Sequence, residues 1–187
     1  MKKKAILLFS LLCLFGTVTL FAGRPVTVIS GDVSVLKQKS TAHLEFDFSN
    51  TKVGTQTLAA YLKEHGSDWE NGWPTDKVWS ETCFTGRFNN YSGKMQIEPE
   101  TQNVDYKIVV HIINMDMGNA AGVFIPYAPA TAGGVVLNGT VDIIDMKTKN
   151  VVLSLNVDKL QGESSPSARL RMALAFTELA ERMRKLK

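Results

Sequence analysis

The apolar positions of this chain change their period along its length, and that change predicts its elements. Residues 25–36 (PVTVISGDVSVL) are rich in β-branched side chains and are broken at Ser30-Gly31-Asp32. They predict two short strands or one bulged strand. From 41 to 48 the alternation is clean, with Ala42, Leu44, Phe46 and Phe48 on one face and Thr41, His43, Glu45 and Asp47 on the other. That is the pattern of a half-buried strand. Leu58, Tyr61, Leu62 and His65 then fall at i, i+3, i+4 and i+7, with Thr55 or Thr57 placed to cap a helix and Gly66 to end it. A loop carrying Trp69, Trp73 and Pro74 is expected next. A second helix over 76–91 follows it, with Phe84, Phe88 and Tyr91 on one face.

The strand pattern returns at residue 104. Val104, Tyr106, Ile108, Val110 and Ile112 alternate with a second set that is itself partly apolar, so both faces of this strand are expected to be covered. Residues 118–134 (GNAAGVFIPYAPATAGG) combine glycine and alanine with a few large apolar side chains. Strands at 135–145 and 150–159 flank the polar run Asp145-Met146-Lys147-Thr148-Lys149-Asn150, which reads as a hairpin turn. The C-terminal segment has the clearest helical period: Met172, Phe176, Leu179, Met183 and Leu186 share a face that Ala168 and Ala175 extend. Ser164 or Ser165 can cap it and Pro166 suits its first turn. Glu178 with Arg182 and Glu181 with Lys185 make i,i+4 pairs on the solvent side. The basic last turn complements the helix dipole. The pattern predicts a single α+β domain over 24–187: a mostly antiparallel sheet with two or three helices packed on it and a long C-terminal helix.

The N-terminus changes the reading of composition. Lys2, Lys3 and Lys4 precede an apolar run from Ala5 to Phe21, and Ala22-Gly23 offer small residues for cleavage. Residues 1–23 therefore read as a signal peptide, and the protein is expected in the periplasm or envelope of a bacterium. The run approaches the length of a membrane span, but Gly16, Thr17 and Thr19 interrupt it and no basic stop-transfer cluster follows. Cys13 does not make a lipobox, because Leu12 stands where a small residue is needed, so no lipid anchor is expected. The chain has 21 Lys plus Arg against 18 Asp plus Glu, and three of those lysines lie in the leader. From Arg24 onward the charges balance, and the electrostatic footprint of a nucleic-acid binder disappears. Cys83 alone of the two cysteines follows the leader, which excludes an intramolecular disulfide in the mature chain. It reads as a small packed hydrophobe.

Candidate chemistry is sparse. His43, Glu45 and Asp47 share a strand face, and His111 shares one with Asp105 and Lys107; both sets are what a solvated sheet face requires. His65 belongs to a helix end. The chain carries no Gly-x-Ser-x-Gly elbow, Ser-x-x-Lys set, His-Glu-x-x-His helix or phosphate-binding glycine loop. No catalytic residue, metal or cofactor is expected. Asn90-Tyr91-Ser92 and Asn138-Gly139-Thr140 match the glycosylation acceptor pattern, which has little bearing on a bacterial protein. Two segments stand out as binding surfaces. Trp69, Trp73 and Trp79 are all the tryptophans of the chain, and the first two lie beside Asp68, Glu70 and Asn71, a setting suited to a protein partner or a sugar ring. Val123, Phe124, Ile125 and Tyr127 form an apolar stretch that, if exposed, is an interaction patch. In both segments the competing reading is that the rings and aliphatic groups belong to the core.

From residue 104 onward the chain resembles a known group. Val104-Asp105-Tyr106-Lys107-Ile108, then Val141-Asp142-Ile143-Ile144-Asp145, the turn Lys147-Thr148-Lys149-Asn150 and Ser167-Ala168-Arg169 near the start of the last helix carry the resemblance. The pattern is similar to small secreted or lipoprotein-type proteins of the bacterial envelope, with the architecture of TolB N-terminal and CsgG-like α+β domains. The resemblance implies an accessory or assembly role rather than catalysis. The expected partner is an envelope protein or a second copy of the chain, with membrane contact at most peripheral. The alternatives are a glycan-binding module or glycan-processing enzyme using the tryptophan segment, and a small-molecule carrier.

Overall fold

A computed structural model describes residues 24–90, 94–99, 103–120 and 132–187. The leader and the apolar stretch with Val123, Phe124, Ile125 and Tyr127 lie outside the described residues. Among these, eight strands form one sheet: β1 Val26–Gly31, β2 Thr41–Asp47, β3 Lys52–Val53, β4 Gln56–Thr57, β5 Gln96–Ile97, β6 Tyr106–Asp116, β7 Val136–Asp145 and β8 Val151–Gln161. Three α-helices accompany them: α1 Leu58–Glu64, α2 Ser67–Asn89 and α3 Ala168–Arg184. The strand order is β1-β8-β7-β6-β2-β5. It is antiparallel from β1 to β6 and parallel where β2 meets β6 and β5. The parallel pairing follows from connectivity. Between β2 and β6 the chain runs through α1 and α2, long enough to return and start β6 in the same direction.

Alternation sorts the side chains as expected. Leu44 and Phe46 of β2, Ile108, Val110 and Ile112 of β6, Val141 and Ile143 of β7, and Leu153 and Leu155 of β8 are buried under α2 and α3. The helices contribute Phe84, Phe88, Met172, Phe176, Leu179 and Met183. Phe46 stacks on Phe176 at 4.5 Å between centroids and meets Phe84 edge-on at 5.6 Å, so β2 is clamped between the two helices. The architecture is the expected α+β domain. The hairpin turn also lies where it was read: Asp145 Oδ1 accepts the backbone N–H of Lys147 and Thr148, each at 2.8 Å.

Three local expectations need correcting. Residues 33–37 form a 3-10 turn instead of a strand, because Asp32 caps Ser34 N–H at 2.8 Å and Ser34 Oγ at 2.7 Å. The C-terminal helix is capped by Ser167, whose Oγ accepts Leu170 N–H, so Pro166 precedes the cap. The third correction matters most. The tryptophan loop is no loop: α2 begins at Ser67 and runs straight through Pro74. Gly66, at φ 93°, turns the corner directly from α1 into α2, a conformation that favours glycine. Pro74 removes only the hydrogen bond that the Glu70 carbonyl would accept. Asp68 and Glu70 suit the positive end of the helix.

Gly162, just past the end of β8, lies close against α3. A Cβ there would lie 2.5 Å from both Cα and N of Ala175. Gly162→Ala is therefore expected to destabilise the domain by about 1–3 kcal/mol, the usual cost of overpacking. Urea unfolding measures it, and a variant as stable as the wild type would show that α3 does not pack this tightly on the end of β8.

Candidate functional site

Once α2 is continuous, its first turns make a surface that a loop would not. Trp69 and Trp73 are one turn apart on one side, and Asp68, Gly72 and Asp76 form the adjacent row. Ser167, Ala168, Arg169 and Met172 at the start of α3 face them, and Met117, just past β6, closes the floor. The resulting groove has a volume of about 340 Å³. Met117 and Met172 are buried, whereas both indoles are half-buried against the core. Neither ring is loose. Trp69 meets Tyr61 edge-on at 5.9 Å and lies 5.0 Å from the His65 ring. Trp73 meets Phe48 edge-on at 5.1 Å.

Charge on the groove is unevenly matched. Asp76 is paired by the Arg169 guanidinium, which reaches across from α3. Asp68, two turns earlier, has no ion pair among the described residues and is exposed. Burial pushes the hydroxyl of neighbouring Tyr61 above its usual range, with the positive charge of Arg171 opposing that shift. Trp79 stands apart from the groove, 47% exposed beside Val78 at 60%.

The opposite face of the sheet carries Glu45, Asp47, Lys107 and His111, now assembled across strands, whereas the buried Nδ1 of His43 has no hydrogen-bond partner among the described residues. Lys107 Nζ pairs with Glu45 at 2.6 Å. His111 Nδ1 lies 2.9 Å from Asp47 Oδ2, and its Nε2 lies 3.6 Å from Asp142 Oδ2. Ser154 Oγ donates to Asp142 Oδ1 at 2.6 Å. These contacts make a partly exposed polar network in which strand partners satisfy one another. Among the described residues no group of three His, Cys, Asp or Glu side chains converges as metal ligands. Cys83 is half-buried, and burial pushes its thiol above the usual range, away from thiolate chemistry at neutral pH.

Sequence reasoning singled out Trp69 and Trp73 but missed Gly72, Asp76, Ser167 and Arg169. The i,i+4 spacing of the tryptophans was the available signal. Pro74 concealed it, since it argued for a loop.

No known protein family matches the chain, and no curated protein matches it either. Solved structures align with the chain at low similarity. The PelC dodecamer from Paraburkholderia phytofirmans is 15% identical with a TM-score of 0.41, over 87% of this chain and 98% of that one. A single-substitution variant of that dodecamer gives the same TM-score over 84% and 97%. Protein XCC0632 from Xanthomonas campestris, of family DUF330, is 14% identical with a TM-score of 0.30, over 82% and 87%. At such identities and scores the likeness carries no functional argument.

One titration is predicted for the polar face. Hydrogen bonds from the Ser49 side chain and backbone, and then from His111, hold the Asp47 carboxyl down at about 2, below its ordinary 3.8. A depressed carboxyl stabilises the fold above its unfolded value, and that contribution is lost as pH falls through the folded value. Stability is therefore expected to drop between about pH 4 and 2, and Asp47→Asn to flatten that part of the profile. Thermal unfolding of both proteins over this range is the check; superimposable profiles would contradict the assignment.

Proposed function

We propose that this is an exported accessory protein of the bacterial envelope, not an enzyme, and that it binds another macromolecule in the groove between the starts of α2 and α3. The observation that carries the reading is the pair of half-buried indoles, Trp69 and Trp73, braced from behind and open to a concave surface with a charged rim. Interfaces draw most of their energy from such anchors, and rings already held in place lose little freedom on binding. Export rests on the basic and apolar pattern of residues 1–23. No helix of the described residues is long and apolar enough to cross a membrane.

A second reading uses the same groove for a sugar ring stacked on an indole. Gly72 favours it: a side chain added there would meet nothing within 4 Å, so the aperture beside the two rings is open.

Native mass spectrometry of the mature protein, purified gently from its own envelope fraction, tests the proposal. A discrete complex is expected for the wild type, and Trp73→Ala should weaken it by about 30-fold or more, the effect of losing a hot-spot side chain. A bare monomer in both preparations would contradict macromolecular binding. A small adduct lost on Trp73→Ala would instead move the assignment to a carried molecule.

A further inference from the structure

We infer that the occupant of the Trp69/Trp73 groove is an arginine-bearing segment of a partner protein, with its guanidinium against the indoles and paired to Asp68. This rests on the partner-binding reading above and gives it a chemistry. The exposed side of the groove is an acceptor of positive charge, since Arg171 at its floor is buried and donates to three backbone carbonyls. Its lining holds two carboxylates, Asp68 and Asp76, against one cation, Arg169, and that cation is already committed to Asp76. Glu70, exposed on the same turn, adds to the negative rim.

The chain itself forms one carboxylate–guanidinium pair across this groove. At Asp76 a guanidinium from α3 crosses to the carboxylate alongside Trp73. Asp68, next to Trp69 and eight residues or roughly 12 Å earlier on the same row of α2, is exposed and forms no ion pair among the described residues. An arriving arginine completes the second pair.

The remaining features distinguish arginine from other ligands. Tryptophan is the strongest aromatic partner for a cation, and the weakly hydrated, planar guanidinium gives up less on leaving water than an ammonium does. Met117 and Met172 on the floor provide soft apolar contact for the aliphatic stem of the side chain. Gly72 leaves the approach to both rings clear. An anionic ligand would face two carboxylates with the sole lining cation already paired. A neutral sugar could use Asp68 only as a hydrogen-bond acceptor and would not complete an ion pair.

The test follows the indole N–H signals of isotopically labelled mature protein by NMR. The probes are three blocked tripeptides, centred on arginine, lysine or citrulline, and chitotetraose as a neutral sugar. Trp79, outside the groove, is the internal reference. Saturable shifts of the Trp69 and Trp73 signals with the arginine peptide are expected. Citrulline, which keeps the shape and loses the charge, should bind about tenfold more weakly or worse, and Asp68→Asn should reduce arginine binding by a similar factor. Asp68 is exposed, so that variant is expected to keep the wild-type circular dichroism. Equal affinity for the arginine and citrulline peptides, or an unaltered arginine affinity in Asp68→Asn, would overturn the inference. Saturation by chitotetraose alone would overturn it and assign the groove to glycans. Silence with every probe, while the native complex is still lost on Trp73→Ala, would overturn the arginine assignment and leave the macromolecular reading standing. Silence with a native complex indifferent to Trp73→Ala would remove both.

Discussion

The fold depends on a buried cation. Arg184, only 6% exposed in the last turn of α3, donates from Nε to the Phe88 carbonyl at 2.8 Å and from Nη1 to the Leu36 carbonyl at 2.8 Å. Its Nη2 donates to the Met95 carbonyl, and its guanidinium carbon lies 3.7 Å from the centre of the Phe88 ring. One side chain thus fastens the end of α3 to the end of α2, to the 3-10 turn and to the residue leading into β5. Burying such a charge is costly unless every donor finds a partner. Here one acceptor is the Phe88 carbonyl in the last turn of α2, where the helix dipole is negative, and this offsets part of the desolvation.

That clamp has consequences at the other end of the helix pair. The helices lie side by side in the same direction: Asp76, midway along α2, pairs with Arg169 at the start of α3, and Arg87 donates to Glu181 at 2.9 Å near their ends. Parallel helices bring like dipole ends together, which neither favours unaided, and these charges and the buried arginines hold the arrangement. A second buried guanidinium, Arg171, works at the starting end. It donates to the Met117 carbonyl at 3.2 Å, to Ser165 at 2.7 Å and to Pro166 at 3.2 Å. It therefore fixes both the floor of the groove and the segment leading into α3. The groove's shape is a consequence of these two arginines as much as of the tryptophans that line it.

What was legible in the sequence was whatever depends on neighbours a few residues away. The period-2 alternation of residues 41–48, the turn at Asp145 and the apolar stripe from Met172 to Met183 were readable because each is a local pattern with one structural outcome. The parallel pairing of β2 with β6 was not, since alternation states which face is buried and says nothing about strand direction. Pro74 misled because its usual effect is to end helices, whereas tertiary packing of Phe84 and Phe88 sustains one here. Arg171 and Arg184 carry no sequence signal beyond the basic last turn to which Arg184 belongs. Their burial depends on carbonyls contributed by residues 54 to 148 positions away as well as by nearby ones, which no helical periodicity reveals.

The central claim is that the helix pair is locked as one unit, and that this unit shapes the groove. Amide hydrogen exchange on an Arg184→Met variant, folded at neutral pH, tests it most directly. The account predicts that protection falls together in the last turns of α2 and α3, the 3-10 turn and β5, and extends along the pair to Trp69 and Trp73, while β6 to β8 keep theirs. Loss confined to the final turn of α3, with the groove as protected as in the wild type, would contradict it.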